Sequence, residues 1–150
     1  MLAQVVERYE TEAGEKKITL AYRSRTTEPS MIVATPDGVD RIFDNLVSNA
    51  VKYTPAGGSV SVALGTERDM ARVEVADTGI GIPDESLNHL YEEFYRAPNA
   101  KAQVKEGTGL GLAICKELVT RYGGNITFHS KPGQGTTFVV TLPLATESAS

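Results

Sequence analysis

Residues 37 to 53 carry Val39, Ile42, Phe43, Leu46, Val47 and Ala50 at helical spacing, and this stripe limits the possible folds more than any other feature. A helix with one broad apolar face is stable only when another layer covers that face. Short strand-like segments around it supply the layer. Lys17 to Arg23 alternates Ile18, Leu20 and Tyr22 with polar residues, and Met31 to Ala34 is a brief apolar run. Ser59 to Gly65 and Ala71 to Ala76 read as two more strands, joined by a hairpin loop over Thr66 to Met70. Asn125 to His129 and Thr136 to Leu142 form a last hairpin across Lys131-Pro132-Gly133-Gln134-Gly135. Two further helices are expected. One covers residues 2 to 13, with Leu2, Val5, Val6 and Tyr9 on its apolar side, and ends near Gly14; the other covers 109 to 122 and is closed by Gly123-Gly124. Pro36 suits the start of the central helix, and Thr54-Pro55-Ala56-Gly57-Gly58 stops it. A short helix is expected around Asp84 to Tyr91, and the polar stretch 96 to 108 reads as a mobile loop. Three main helices and about six strands predict an α/β fold, a sandwich of two layers.

Length and charge bound the function. The 150 residues suit one domain with a sizeable core, and the formal charge of −4 argues against nucleic-acid binding, which needs clustered cations. No apolar run approaches the roughly 20 residues that cross a bilayer, and Met1 is not followed by a basic start and apolar block. The single cysteine, Cys115, excludes an internal disulfide and a cysteine-based zinc site, and reads as a small buried hydrophobe. A reduced, cytosolic setting is expected. Residues 145 to 150 read as a frayed tail.

Four constellations carry possible chemistry. Asn45 and Asn49 are four residues apart and Lys52 three further on, so all lie on one helical face, opposite the apolar stripe. An amide oxygen can ligate a hard cation such as Mg²⁺ and an ammonium can meet a phosphate, although a solvated polar face would look the same. Asp77-Thr78-Gly79-Ile80-Gly81-Ile82-Pro83 follows an apolar strand directly. A carboxylate there can accept from an amino group on a base, and the glycines permit sharp turning or close ligand approach; a turn capped by Asp is the plainer reading. Gly107-Thr108-Gly109-Leu110-Gly111-Leu112 opens a helix, where exposed N–H groups and the helix dipole suit a phosphate. It matches neither the dinucleotide fingerprint nor a Walker A loop. Tyr91-Glu92-Glu93-Phe94-Tyr95-Arg96 offers an apolar anchor and a phosphate-pairing guanidinium, or simply a surface helix end.

The order of these pieces, with Gly133 to Thr136 last, closely resembles the ATP-binding catalytic domain of bacterial sensor histidine kinases, in the fold shared with DNA gyrase and the Hsp90 chaperone. Asn45 to Tyr53 resembles the family's N box, Asp77 to Gly81 and Gly107 to Gly111 its first two glycine boxes, Tyr91 to Arg96 its F box and Gly133 to Thr136 its third glycine box. The resemblance implies a mixed β-sheet packed on three helices, with ATP and Mg²⁺ as cofactors. It implies that Asp77 bonds the adenine amino group with Thr136 assisting through water, that Tyr53 lies near the base, and that Ile82 belongs to the ATP site. Gly79 and Gly81 shape that pocket. Asn49 holds Mg²⁺, Asn45 lines the same site, and Lys52 approaches the phosphates. Gly107, Thr108, Gly109, Leu110, Gly111 and Leu112 cradle the phosphates; residues 97 to 106 form a lid, with Arg96 and either Lys101 or Lys105 on the γ-phosphate.

The reaction implied is γ-phosphoryl transfer to a histidine, then relay to a response-regulator aspartate. Gyrase-like relatives carry a glutamate four residues before the metal asparagine, and here that position is Asn45, whose amide cannot take a proton, so slow hydrolysis is expected. Neither His89 nor His129 stands in the family's acceptor stretch. The expected arrangement is therefore residues 1–14 as the end of a preceding helical region, 15–144 as the catalytic domain and 145–150 as tail, with the acceptor on a dimerisation domain outside this sequence. The chain alone should be a monomer that binds ATP without labelling itself, and that makes no contact with membrane or nucleic acid. In full it should be the cytoplasmic domain of an inner-membrane sensor. Three rivals share the site: a serine kinase of the anti-sigma-factor type, a nucleotide-gated pseudokinase, and an ATP-driven clamp.

Overall fold

The computed structural model describes residues 2–25, 36–81 and 111–144. Within them lie four helices, α1 (Leu2–Arg8), α2 (Glu10–Glu15), α3 (Pro36–Lys52) and α4 (Gly111–Arg121). Five strands accompany them: β1 (Thr19–Ser24), β2 (Ser59–Glu67), β3 (Met70–Asp77), β4 (Asn125–Lys131) and β5 (Gly135–Pro143). The strands form one mixed sheet in the order β1-β2-β3-β5-β4. The β1–β2 pair is parallel and the other three pairs are antiparallel. The expected strand Met31 to Ala34 and helix Asp84 to Tyr91 lie outside the described residues.

Register explains the core. Tyr22, Val62, Val75, Phe138 and Phe128 stand in one row across the sheet, and Leu64, Val73, Val140 and Ile126 in the next. Neighbours across a ladder share a face, so these rows make a continuous apolar floor. Ile42, Phe43, Leu46, Val47, Ala50 and Val51 of α3 are all buried, between this floor and the neighbouring helices α1 and α4, as the helical stripe requires. The opposite face of the sheet carries polar pairs such as Arg72 and Glu74, 3.5 Å apart. This is the two-layer α/β sandwich expected, with every described helix on one side.

The N-terminal helix differs from expectation. It breaks at Tyr9 (φ −105°, ψ 1°) into α1 and α2, and Glu15 rather than Gly14 is the last helical residue. The break has a physical reason: α1 buries Leu2, Val5 and Val6, and the redirected chain then buries Ala13. The Tyr9 hydroxyl at the break donates to Asp44 Oδ1 on α3 (2.7 Å). Beside it, Arg8 pairs with both Asp40 oxygens, at 2.6 and 3.0 Å. The helix ends through Ile18 N–H donating to Ala13 O (2.8 Å), with Lys17 in the left-handed region at φ 61°. The Thr66 to Met70 loop is also tighter than expected, because the ladder runs through Glu67 and Met70 and leaves a two-residue turn.

Candidate functional site

The sheet row beyond the apolar floor changes character. Leu20 and Val60 continue it from β1 and β2, but Asp77, Thr136 and Ser130 complete it on β3, β5 and β4. Alternation therefore puts a carboxylate and two hydroxyls on the inner, helix-covered face, at the edge of the core.

Asp77 is held there by backbone. Its Oδ1 accepts from Gly79 N–H (2.8 Å) and from Thr136 N–H (3.2 Å). No described residue donates to its Oδ2. Burial raises the Asp77 carboxyl above its ordinary range, opposed by the two N–H groups that favour the charged form. A partly buried carboxylate with one saturated oxygen and one open oxygen is an acceptor in want of a donor.

The bend after Asp77 is clamped from both sides. On one side Ile80 N–H donates to Tyr53 O, just past the end of α3 (3.1 Å); on the other Gly133 N–H donates to Ile80 O (2.7 Å). The glycines are steric necessities at two points. Gly81 has φ +73°, and a β-carbon there would collide with the Lys131 carbonyl. Gly135 has φ +114°, and a β-carbon there would collide with the carbonyl of Asp77 itself. Thr78 closes the strand end by exchanging bonds with Ser59: its N–H donates to Ser59 O (3.0 Å) and its hydroxyl accepts from Ser59 N–H (2.9 Å).

The α3 side of the site carries the polar face read from the sequence. Asn49 is part-buried, one turn before Tyr53, and no described residue bonds its side chain. Asn45 is part-buried beside the thiol of Cys115 on α4. Lys52 is exposed at the last position of α3. That end is secured by two features: the Thr54 hydroxyl donates to Ala50 O (2.7 Å), and Lys16 Nζ donates to Val51 O (2.7 Å) and Lys52 O (2.9 Å). A cation on the last carbonyls also suits the helix dipole.

Of the residues predicted from sequence, Asp77, Gly79, Gly81, Tyr53 and Thr136 thus meet around one bend, with Asn49 a turn away on α3. Gly111 begins α4, and Leu112 is partly buried and packs against the core. Ile82, Arg96, Lys101, Lys105, Gly107, Thr108, Gly109 and Leu110 lie outside the described residues. Two contributors were missed. Lys16 gave no signal, because its contact with α3 is 35 residues distant in sequence. Ser130 did give one: a hairpin turn over Lys131 to Gly135 puts it opposite Thr136.

Among the described residues no group of three His, Cys, Asp or Glu side chains could hold a metal. The Asn49 amide, which no described residue engages, is a hard, neutral oxygen donor, and it fits Mg²⁺ only if a phosphate chain supplies the anionic ligands. Among the described residues no helix is long and apolar enough to cross a membrane.

Residues 34–146 match the family described as histidine kinase-, DNA gyrase B- and HSP90-like ATPase. The sensor histidine kinase WalK of Bacillus subtilis is 42% identical over 113 residues, which is 74% of this chain and 18% of WalK. The sensor histidine kinase RppB of Synechocystis is 40% identical over 104 residues, 69% of this chain and 23% of RppB. The chain thus spans about a fifth of the length of these curated relatives. Among solved structures, full-length ShkA in complex with AMPPNP superposes with a TM-score of 0.82 at 32% identity, covering 97% of this chain and 29% of that one.

Proposed function

We propose, for a chain that belongs to the histidine kinase-, DNA gyrase B- and HSP90-like ATPase family, that it is the ATP-binding catalytic domain of a sensor histidine kinase. It positions ATP for γ-phosphoryl transfer to a histidine on a separate dimerisation domain, for relay to a response-regulator aspartate. The observation that carries this reading is Asp77: its Oδ1 is saturated by Gly79 and Thr136, and no described residue donates to its other oxygen on the inner sheet face. Such an acceptor suits the amino group of adenine. The kinship with WalK and RppB supports the histidine as acceptor, and the AMPPNP held by ShkA supports the nucleotide.

In this reading Asp77 takes the adenine amino group, and Thr136 stands next to it on β5. Tyr53 and Ile82 flank the base, and Gly79 and Gly81 let the backbone pass close to it. Asn49 offers its amide oxygen to Mg²⁺, whose part would be to neutralise charge on the phosphates, and Asn45 lines the same site. Lys52 and Arg96 meet phosphate oxygens, and residues 107 to 112 receive the phosphate chain at the start of α4. Transfer of this kind needs positioning and charge neutralisation more than covalent help. Asn45 has no basic atom with which to activate water, which favours transfer to a protein side chain over hydrolysis. Residues 15–144 form the catalytic domain, residues 1–14 the region that joins it to the dimerisation domain, and the whole is the cytoplasmic part of a membrane sensor.

Calorimetric titration with Mg²⁺·ATP, with parallel incubation in γ-labelled ATP, tests the proposal. Binding without label on the chain is expected. No heat of binding would sink the nucleotide site, and stable label on the chain would sink the separate acceptor.

A further inference from the structure

Ser130 lies on β4 directly across from Thr136, at the polar end of the inner sheet face. Its hydroxyl donates to Gly135 O (3.0 Å) and sits 2.8 Å from Thr136 Oγ1. A hydroxyl carries one proton, and a carbonyl can only accept. The Ser130 proton is therefore committed to Gly135 O, and the Thr136 hydroxyl must donate its own proton to Ser130 Oγ. That leaves Thr136 Oγ1 with lone pairs only. Thr136 also donates its backbone N–H to Asp77 Oδ1 (3.2 Å), so the two side chains stand together. The end of these strands thus presents two acceptors, Asp77 Oδ2 and Thr136 Oγ1, with no donor between them among the described residues.

Resting on the adenine reading of this site, we infer that Ser130 is a positioning residue that sets purine specificity by fixing the proton direction of the Thr136 hydroxyl. A 6-amino purine, or a water bridging to it, donates to both acceptors. A 6-oxo purine brings a third acceptor and is repelled. Without Ser130 the Thr136 hydroxyl turns freely and can donate to that oxo group, and the discrimination falls. Rejection of the wrong base by unpaired polar groups is stronger than selection by attraction alone. Gly135 belongs to the same device, because its backbone, which only glycine can adopt beside the Asp77 carbonyl, aims the carbonyl that receives the Ser130 proton.

The test is the ratio of dissociation constants for inosine triphosphate and ATP, measured by calorimetry with Mg²⁺ on the parent chain, Ser130→Ala and Ser130→Thr. The parent titration with ATP comes first: absence of binding there refutes the adenine reading, and this inference with it. Given binding, Ser130→Ala should narrow the ratio by about three- to tenfold, the worth of one neutral hydrogen bond. Ser130→Thr, which keeps the hydroxyl on a strand position that favours β-branching, should restore the parent ratio. An unchanged ratio in Ser130→Ala, or equal weakening of both nucleotides, would overturn the specificity role while leaving the adenine site intact.

Discussion

Replacing Asp77 by Asn separates the site's function from its stability. Asp77 Oδ1 accepts two backbone N–H groups, from Gly79 at 2.8 Å and Thr136 at 3.2 Å. An asparagine must keep its carbonyl oxygen there, because only the oxygen accepts. Its NH₂ then occupies the place of Oδ2 and faces the adenine amino group, donor against donor. The lost charge-assisted bond is worth about 1.5–3 kcal/mol, which at about 1.4 kcal/mol per decade is roughly a 10- to 150-fold loss of ATP affinity. The facing donors push the loss toward the upper end. The folded protein responds the other way. Burial raises the Asp77 pKa, so the charged carboxylate costs stability, and the cost appears as pH rises from the unfolded value through the folded one. At neutral pH the neutral amide should leave the nucleotide-free chain at least as stable as the parent, and below the ordinary carboxylate range the two should converge. Calorimetry with Mg²⁺·ATP reads the first quantity and chemical denaturation across pH the second. Parent-like affinity in the variant would refute the adenine assignment, and a large drop in neutral-pH stability would refute the argument that the charge is a burden on the fold.

Four other outcomes are expected. Gly135→Ala puts a β-carbon against the Asp77 carbonyl at φ +114° and should cost about 1–3 kcal/mol in denaturation as well as ATP affinity; an unperturbed midpoint would argue against the observed approach. Leu46→Ala, at 1% exposure on α3, should cost about 2–5 kcal/mol, and a loss under 1 kcal/mol would mean α3 is not seated on the sheet. Burial and the bond to Asp44 push the Tyr9 hydroxyl from 10 to about 12, so its contribution is complete below pH 10 and is lost as pH rises through about 12; Tyr9→Phe should flatten that alkaline fall. The Cys115 thiol, pushed up to about 12 by burial, should resist a thiol reagent at mildly alkaline pH until the chain is unfolded, and rapid native labelling would contradict its place between α3 and α4.

Local pattern carried much of this protein. The 3.6-residue stripe of α3 and the alternation in β2, β3 and β5 depend only on which residues repeat, so those elements were read within a few residues. The Asp77 bend and the turn at Lys131 to Gly135 were also legible, because glycine at such points answers a backbone demand. The break at Tyr9 was not, since Leu2, Val5, Val6 and Tyr9 fit one uninterrupted helix and the reason to stop is tertiary, in the burial of Ala13 beyond the break and the bond from Tyr9 to Asp44 on α3. Lys16 was invisible for the same reason.

The sequence by itself determined the two layers, the order of the glycine turns and the identity of the acceptor at residue 77, because periodicity and residue chemistry are properties of neighbours along the chain. Only the tertiary structure decided that Asp77, Thr136 and Ser130 share one row on the inner face, that one carboxylate oxygen is spent on backbone while no described residue donates to the other, and that the Ser130 and Thr136 hydroxyls meet. Those follow from strand order and register, which join residues as far apart as 77 and 136 through ladder hydrogen bonds, and no local pattern encodes that pairing.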